Sequence, residues 1–236
     1  MPGGRREVKF LLAQAEYAVI KNRVAALLEP DEHSDSDGGY FIRSIYFDDI
    51  RDTAYREKVN GVFDRRKFRI RLYNDDLTFI RLESKEKYNK WIIKQHARID
   101  ENIAKRLLDE DFRVLDDSEN DFLKHFSSLT SEIGLRSVVT TDYYREAYMY
   151  PASNLRITFD KHLHASGLTG FSLVRGEAGD WLSLPIFRHD EVVMEIKYDD
   201  FMPEMVSAVI PRKTGKALAV SKYCLCRAQA IGLSGI

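Results

Sequence analysis

An α+β fold, an antiparallel β-sheet covered by amphipathic helices, is predicted by three features of this 236-residue sequence. A long hairpin can be read directly between Arg65 and Lys87. Five strand candidates repeat the same alternation of charged and apolar residues. Between them lie segments with helical periodicity that can cover the apolar side.

The hairpin is the clearest element. In RRKFRIRLYNDDLTFIRLESKEK, Lys67, Arg69, Arg71 and Tyr73 share one face, and Phe68, Ile70 and Leu72 share the other. Asn74-Asp75-Asp76 reads as a turn. After it, Phe79, Arg81, Glu83 and Lys85 share a face opposite Ile80 and Leu82. The charged side is mostly cationic, which suits a polyanion better than water.

The other elements follow in order. Arg5–Phe10 reads as a strand, with Glu7 and Lys9 on one side and Val8 and Phe10 on the other. Ala13–Leu28 has helical spacing at Tyr17, Ile20, Val24, Leu27 and Leu28. Asp31–Gly39 is a polar loop, and Tyr40–Asp48 is strongly β-forming. A short helix is expected over Asp52–Lys58, then a turn at Asn60-Gly61. Lys90–Gln95 reads as a strand. Asp100–Leu108 reads as a helix with Asp100 as its N-cap. A second helix is expected over Asn120–Ile133, with Phe122, Leu123, Phe126 and Leu129 as its stripe. The β pattern returns over Ser137–Tyr150, Asn154–His162 and Glu191–Tyr198. Helices over Pro203–Ile210 and Ala219–Ile231, after a Thr214-Gly215 turn, close the chain. With no internal repeat or low-complexity linker, a single domain over 1–236 is the economical reading.

Composition limits the function. Hydrophobic content is 44% and charged content 31%, yet the net charge is −1, so nothing global points to nucleic acid or an anionic membrane. Any anion site must come from local segregation of Lys and Arg. No apolar run approaches the ~20 residues of a membrane helix. No signal-peptide pattern opens the sequence, so a cytoplasmic location is the default. Cys224 and Cys226 read as reduced core thiols. Lys87, Lys90 and Lys161 read as surface residues, and His162-x-His164 as a surface pair. Neither phosphate-cradling glycine motif is present.

The recurring pairs are Glu7/Lys9, Arg69/Arg71, Glu83/Lys85, Arg156/Thr158 and Glu195/Lys197. Taken singly, each reads first as a wet strand face or a cross-strand salt bridge, but five in agreement read as a site. An open sheet would leave these faces in water. A closed barrel would turn them into a lumen and explain why the residues between them are large. Such a lumen, with Lys9, Arg69, Arg71, Lys85, Arg145, Arg156 and Lys197 offset only by Glu7, Glu83 and Glu195, would repel itself when empty. A multivalent anion relieves that repulsion, and Arg forks fit phosphate oxygens. The three acids also suit a hard divalent cation that shares phosphate oxygens.

These segments resemble the VTC domain, the polyphosphate-polymerase member of the triphosphate tunnel metalloenzyme (CYTH-like) superfamily. The resemblance is carried by Glu7–Phe10, Arg43–Asp48, Lys67–Tyr73, Leu82–Lys85, Tyr143–Arg145, Leu155–Asp160, Met194–Tyr198 and Ser221–Tyr223. It implies an antiparallel closed β-barrel, a triphosphate tunnel with flanking helices, that transfers the γ-phosphate of ATP to inorganic polyphosphate. By motif, Lys9, Arg69, Arg71, Lys85, Lys94, Arg145, Arg156, Ser221 and Lys222 would hold phosphates, and Tyr143 would lie near the nucleotide. Arg69, Arg71, Lys85, Arg156 and Lys197 would carry catalysis. Glu195, with Glu7 and Glu83, would hold manganese or magnesium. Arg43 and Arg56 are further placements. No nucleic-acid partner is implied. Membrane helices accompany some family members, so a membrane protein is a candidate partner. The superfamily opens with Glu-x-Glu-x-Lys, and here Arg5 replaces the first Glu. That fits the polymerase branch better than a two-metal hydrolase. A triphosphatase and a non-catalytic polyphosphate or nucleotide-binding module are the alternatives.

Overall fold

The computed structural model describes residues 6–89, 91–150, 153–177, 180, 182–187, 191–199, 201–210, 216–217 and 221–232. Arg5, Lys90 and the Thr214-Gly215 turn lie outside them. The elements are β1 (Arg6–Leu12), α1 (Gln14–Ala25), β2 (Glu29–Pro30), β3 (Tyr40–Asp48), α2 (Thr53–Val59), β4 (Arg65–Tyr73), β5 (Ile80–Tyr88) and β6 (Trp91–Ile99). There follow α3 (Glu101–Leu108), a 3-10 turn (Phe112–Leu115), α4 (Asp121–Ile133), β7 (Arg136–Tyr150), β8 (Leu155–Ser166), β9 (Leu184–Pro185), β10 (Val192–Tyr198), α5 (Glu204–Val209), β11 (Lys216–Ala217) and α6 (Lys222–Ala230). Their contacts divide into two compact units.

The first unit comprises Met1–Phe41, Tyr143–Leu163 and Phe187–Ala219. In it β1 runs antiparallel to β10, with Glu7 opposite Lys197 and Lys9 opposite Glu195. Strand β10 runs antiparallel to β8, with Glu195 opposite Thr158 and Lys197 opposite Arg156. The alternate residues Leu12, Met194, Ile196, Ile157 and Phe159 form a core with Tyr17, Ile20 and Val24 of α1 and with Val206 and Ile210. Helix α1 starts where the Glu16 carboxylate accepts the Ala13 N–H at 2.9 Å, a local signal at an otherwise uncapped end. Phe159 is fully buried, and truncation to Ala would cost about 3–5 kcal/mol.

The second unit comprises Ile42–Asp142, His164–Ile186 and Val220–Ile236. The predicted hairpin is β4–β5. Its turn is tight because Asn74 and Asp75 both take positive φ, 52° and 55°, and the Asp76 N–H donates to Tyr73 O at 2.9 Å. Asn and Asp tolerate that conformation, and it matches the twist of the strands. Ile45, Phe47, Phe68, Ile70, Leu72, Ile80, Leu82, Ala97 and Ile99 face α3, α4 and the 3-10 turn. Phe126 of α4 meets Phe47 and Phe68 edge-on at 5.6 and 5.1 Å. The predicted cap at Asp100 is in place, and the expected start of the second helix, Asn120, proves to be a cap as well. Asp100 accepts from Ile103 N–H, and Asn120 accepts from the N–H groups of Phe122 and Leu123. Gly134, at φ 65°, ends α4.

The protein therefore has a large antiparallel sheet with flanking helices, in the strand order β11-β1-β10-β8-β7-β3-β4-β5-β6. The closed barrel expected from the sequence is not shown. Among the described residues no pairing joins β6 to β11, and Trp91 to His96 of β6 are exposed, as on an edge strand. Strand β8 runs beyond the expected His162. That residue takes φ 51° and is exposed, and His164 is half-buried. Two placements need correction. Lys161 is not a free surface residue, because its ammonium is paired with the buried Glu146 carboxylate. Arg43 lies on the core side of β3 and cannot face a ligand with Ser44 and Tyr46. It is about 1% exposed, and its guanidinium is shared by Asp142, Asp180 and Ser172 O.

Candidate functional site

Each unit carries one polar sheet face, set opposite its core by the two-residue period of the strands. In the first unit the face centres on Glu195, whose side chain is almost completely buried. Lys9 Nζ lies 2.7 Å from Glu7 Oε1 and 3.8 Å from Glu195 Oε2. Lys197 pairs with Glu195 through its other oxygen. Burial alone would lower the Lys9 pKa, but Glu195, Glu7 and Asp160 raise it overall. Lys197 goes the other way: burial dominates and lowers its pKa despite Glu195. For Glu7, burial and Glu195 push upward, and Lys9 and Lys197 bring the pKa below the usual value.

Two arginines flank this acid–lysine cluster. Arg145 binds Asp160 through Nε and Nη2 at 2.6 and 2.9 Å, and its guanidinium carbon is 5.4 Å from the Tyr143 ring centroid. Arg156 donates from Nη2 to Asp31 at 2.6 Å and to the Tyr40 hydroxyl at 2.8 Å. Its Nε is buried and makes no hydrogen bond. The buried Thr158 hydroxyl, on the strand position facing Glu195, also has no partner. A donor and a hydroxyl left unpaired in this way are costly unless something polar reaches them.

In the second unit the polar face spans β3 to β6. Register aligns Tyr46, Arg69, Glu83 and His96 across the four strands. Arg69 binds Glu83 Oε2 from Nε at 2.7 Å and from Nη2 at 2.6 Å, and Nη1 donates to Tyr46 OH at 2.9 Å. Arg71 lies 4.0 Å from the same carboxylate and donates to Ser44 Oγ at 3.1 Å. Burial would raise the Glu83 pKa, but Arg69 and Arg71 lower it overall. Burial would likewise raise the Tyr46 pKa, and the same arginines, with Lys67, bring it below the usual value. Glu83 therefore organises arginines in this state. Lys85 and Lys94 face each other on β5 and β6, both exposed.

Helix α6 abuts this face. Ser221 is its N-cap and accepts from Cys224 N–H at 3.2 Å. Lys67 Nζ donates to Ser221 Oγ at 3.1 Å, lies 3.8 Å from Cys224 Sγ, and sits 4.6 Å from the Tyr223 ring centroid. Burial lowers the Lys67 pKa. Both cysteines are buried free thiols. Lys222 is half-buried at the helix start.

The expected residues thus fall into two sets. Glu7, Lys9, Tyr143, Arg145, Arg156, Glu195 and Lys197 share the first face, and Arg69, Arg71, Glu83, Lys85, Lys94, Ser221 and Lys222 belong to the second unit. Asp160, Asp31 and Tyr40, which hold the two arginines of the first unit, were not singled out as site residues. Asp160 shares the strand face of Arg156, but its partner Arg145 is on another strand. Tyr46 is likewise not among the expected site residues, and Lys67, expected on the cationic face beside Arg69, is not among the expected phosphate binders. Among the described residues no group of three His, Cys, Asp or Glu side chains is arranged to hold a metal ion.

The sequence profile of the VTC domain matches residues 4–231. No curated protein matches. Among solved structures, a candidate adenylyl cyclase from Hippeastrum with a dominant triphosphatase activity is 15% identical, with a TM-score of 0.52 over 95% of this chain and 96% of that one. A candidate adenylate cyclase from Bacillus halodurans is 14% identical, with a TM-score of 0.47 over 87% of each chain. The PH1819 protein from Pyrococcus horikoshii OT3 is 14% identical, with a TM-score of 0.45 over 95% of this chain and 99% of that one. Among the described residues no helix is long and apolar enough to cross a membrane.

Proposed function

The chain belongs to the VTC domain family, and from that premise we propose that it is a polyphosphate polymerase that transfers the γ-phosphate of ATP to a growing polyphosphate chain. One VTC-type domain over 1–236, a sheet closed into a tunnel and a cytoplasmic location are parts of the same proposal. Closure rests on the family resemblance.

The observation that carries the reading is the Lys9–Glu195–Lys197 cluster, a buried acid between two lysines on a face that also bears Arg145 and Arg156. The lysines and arginines would bind phosphate oxygens and neutralise charge as it moves from the leaving to the attacking oxygen. Phosphoryl transfer needs positioning and electrostatics more than covalent help from the protein. The attacking phosphate oxygen is already ionised, so no strong general base is required. In the second unit, Arg69, Arg71 and Lys85 would bind and orient further phosphates, with Glu83 holding the Arg69 fork in position.

A divalent cation, manganese or magnesium, fits the donor set in one way. Glu195 and Glu7 offer hard oxygens, and the unpaired Thr158 hydroxyl faces Glu195 in register. Phosphate oxygens and water would complete the shell, as such ions prefer. Bound there, the ion would supply charge neutralisation to the transferring group. Glu83, already held by two arginines, fits less well.

Incubation with ATP and manganese, followed by sizing of the products on a gel, tests the proposal. A lengthening polyphosphate ladder is expected. Orthophosphate release without a ladder would replace the reading with a triphosphatase. Tight binding without turnover across several divalent metals would replace it with a binding module.

A further inference from the structure

We propose that the loop between α2 and β4 and the end of the β5–β6 hairpin form a membrane-docking surface on the second unit, which inserts aromatic and aliphatic side chains into the headgroup layer of an anionic bilayer. The proposal goes beyond phosphoryl transfer and does not depend on it.

The first argument is where the apolar surface lies. Phe63 and Trp91 are 69% and 73% exposed, and Val62, Tyr88, Ile92 and Ile93 are exposed with them. Two contacts join the loop to the hairpin. Asp64 Oδ1 accepts from Asn89 N–H at 2.7 Å, and Lys87 Nζ lies 5.6 Å from the Phe63 ring centroid. A contiguous apolar surface of this kind marks an interaction site. Register shows what can cover it. Ile92 lies opposite Lys87 and Ile93 opposite Glu86, so the two isoleucines point to opposite faces of β6. Both are about half exposed. A protein docked on one face would cover Ile92 or Ile93 and leave the other in water, whereas a medium that surrounds the hairpin end covers both. Trp91 to Ile93 spans roughly 7 Å along the strand, within the ~5–10 Å that interfacial elements reach.

The second argument is charge. Arg65 lies opposite Lys87 on the polar face, and Lys85 opposite Lys94 one step behind. The acids on these segments are engaged. Asp64 holds the Asn89 N–H, and Glu86 is buried and lies 3.2 Å from Arg66 Nε. Bases behind an apolar tip suit an interfacial anchor, because their stems lie along apolar groups while their heads meet anionic lipid. Trp91 and Tyr88 suit the same depth, with an apolar ring and a polar edge. A second copy fits less well. Edge-to-edge pairing of β6 with itself would set Lys94, His96 and Arg98 of one copy against those of the other, with no acid on the strand to offset them.

Flotation of the full chain with vesicles tests this, using phosphatidylcholine alone and phosphatidylcholine mixed with phosphatidylserine. The mixed vesicles should bind about tenfold more tightly or better, with affinity falling as salt rises. Phe63→Ala/Trp91→Ala should weaken that binding about tenfold or more, without lowering the melting temperature, because both side chains are exposed. Lys87→Gln should weaken it about fivefold. If the double variant does not fold, Trp91 fluorescence in a Trp181→Phe chain takes its place, and a blue shift on adding mixed vesicles is expected. No binding to mixed vesicles, equal binding to both kinds, an unmoved Trp91 spectrum, or full binding by the double variant would each overturn the docking surface. Binding lost in Arg69→Ala but kept in Phe63→Ala/Trp91→Ala would overturn it too, by placing the lipid phosphates on the polar face. A dimer dispersed by Phe63→Ala/Trp91→Ala, without vesicle binding, would assign the surface to a second copy instead.

Discussion

Arg145 and Asp160 form a two-point ion pair, Nε to Oδ1 at 2.6 Å and Nη2 to Oδ2 at 2.9 Å, with the Asp160 side chain completely buried. Arg145 is thus neutralised inside the fold as well as presented on the polar face. Asp160→Asn should cost about 3–5 kcal/mol, because it leaves a largely buried guanidinium without its counter-charge. Phosphate can then substitute for the lost carboxylate. Tripolyphosphate should therefore raise the melting temperature of the variant more than that of the wild type. Equal shifts in the two proteins would mean that Arg145 does not bind the ligand.

Glu195→Gln separates binding from chemistry. Gln can still accept hydrogen bonds from Lys9 and Lys197, so the variant should fold. Without the carboxylate, manganese-dependent ATP turnover should fall to background, and tripolyphosphate should bind at least as tightly as in the wild type because a negative charge has gone. Turnover assays with and without manganese, beside calorimetric binding, check this. Full activity in the variant would remove Glu195 as the metal ligand.

Arg69 makes contacts with Glu83 and Tyr46, so its removal acts twice. Arg69→Ala loses a phosphate donor and leaves the Glu83 carboxylate to repel the ligand. Hydrogen bonds to charged groups are worth about 1.5–3 kcal/mol, so ATP affinity should fall roughly 10- to 100-fold. Arg69→Lys keeps the charge but not the fork and should fall between the two. Adding Glu83→Gln to Arg69→Ala should recover part of the loss. Titration calorimetry on the set reads both effects, and no recovery would mean that Glu83 does not oppose the ligand.

Arg43 shows where sequence reading fails. The hairpin of β4 and β5 and the cap Asp100 depend on neighbours within a few residues, so alternation and cap chemistry reveal them. Arg43 has the same alternation as its ligand-facing counterparts, but its partners, Asp142 and Asp180, are 99 and 137 residues away. Nothing local distinguishes a cation facing a ligand from one neutralised in a core. Strand order likewise sets which basic residues meet: Arg71, Arg81 and Arg98 lie in one row across β4, β5 and β6, which shows only once register is known. Arg43→Ala should therefore act on stability, by about 3–5 kcal/mol in urea unfolding, because it leaves two buried carboxylates without their counter-charge. A stable variant with weakened ATP binding would return Arg43 to the site.

Acid titration gives the last test, through Glu146. Its carboxylate is buried and accepts from Tyr17 OH at 2.7 Å and Lys21 Nζ at 2.9 Å, and it pairs with Lys161. Burial would raise its pKa, but Lys161, Lys21 and Tyr17 lower it overall. A carboxylate with a depressed folded pKa contributes stability that is complete above the unfolded value of about 4.3 and is lost as pH falls through the folded value. In that window the unfolded chain binds the extra proton, so stability drops with acid. Glu146→Gln cannot titrate. It should be less stable than the wild type at pH 7, and the gap between the two urea midpoints should narrow steadily below about pH 4. A gap that stays constant down to pH 3 would show that Glu146 is not a source of the acid sensitivity.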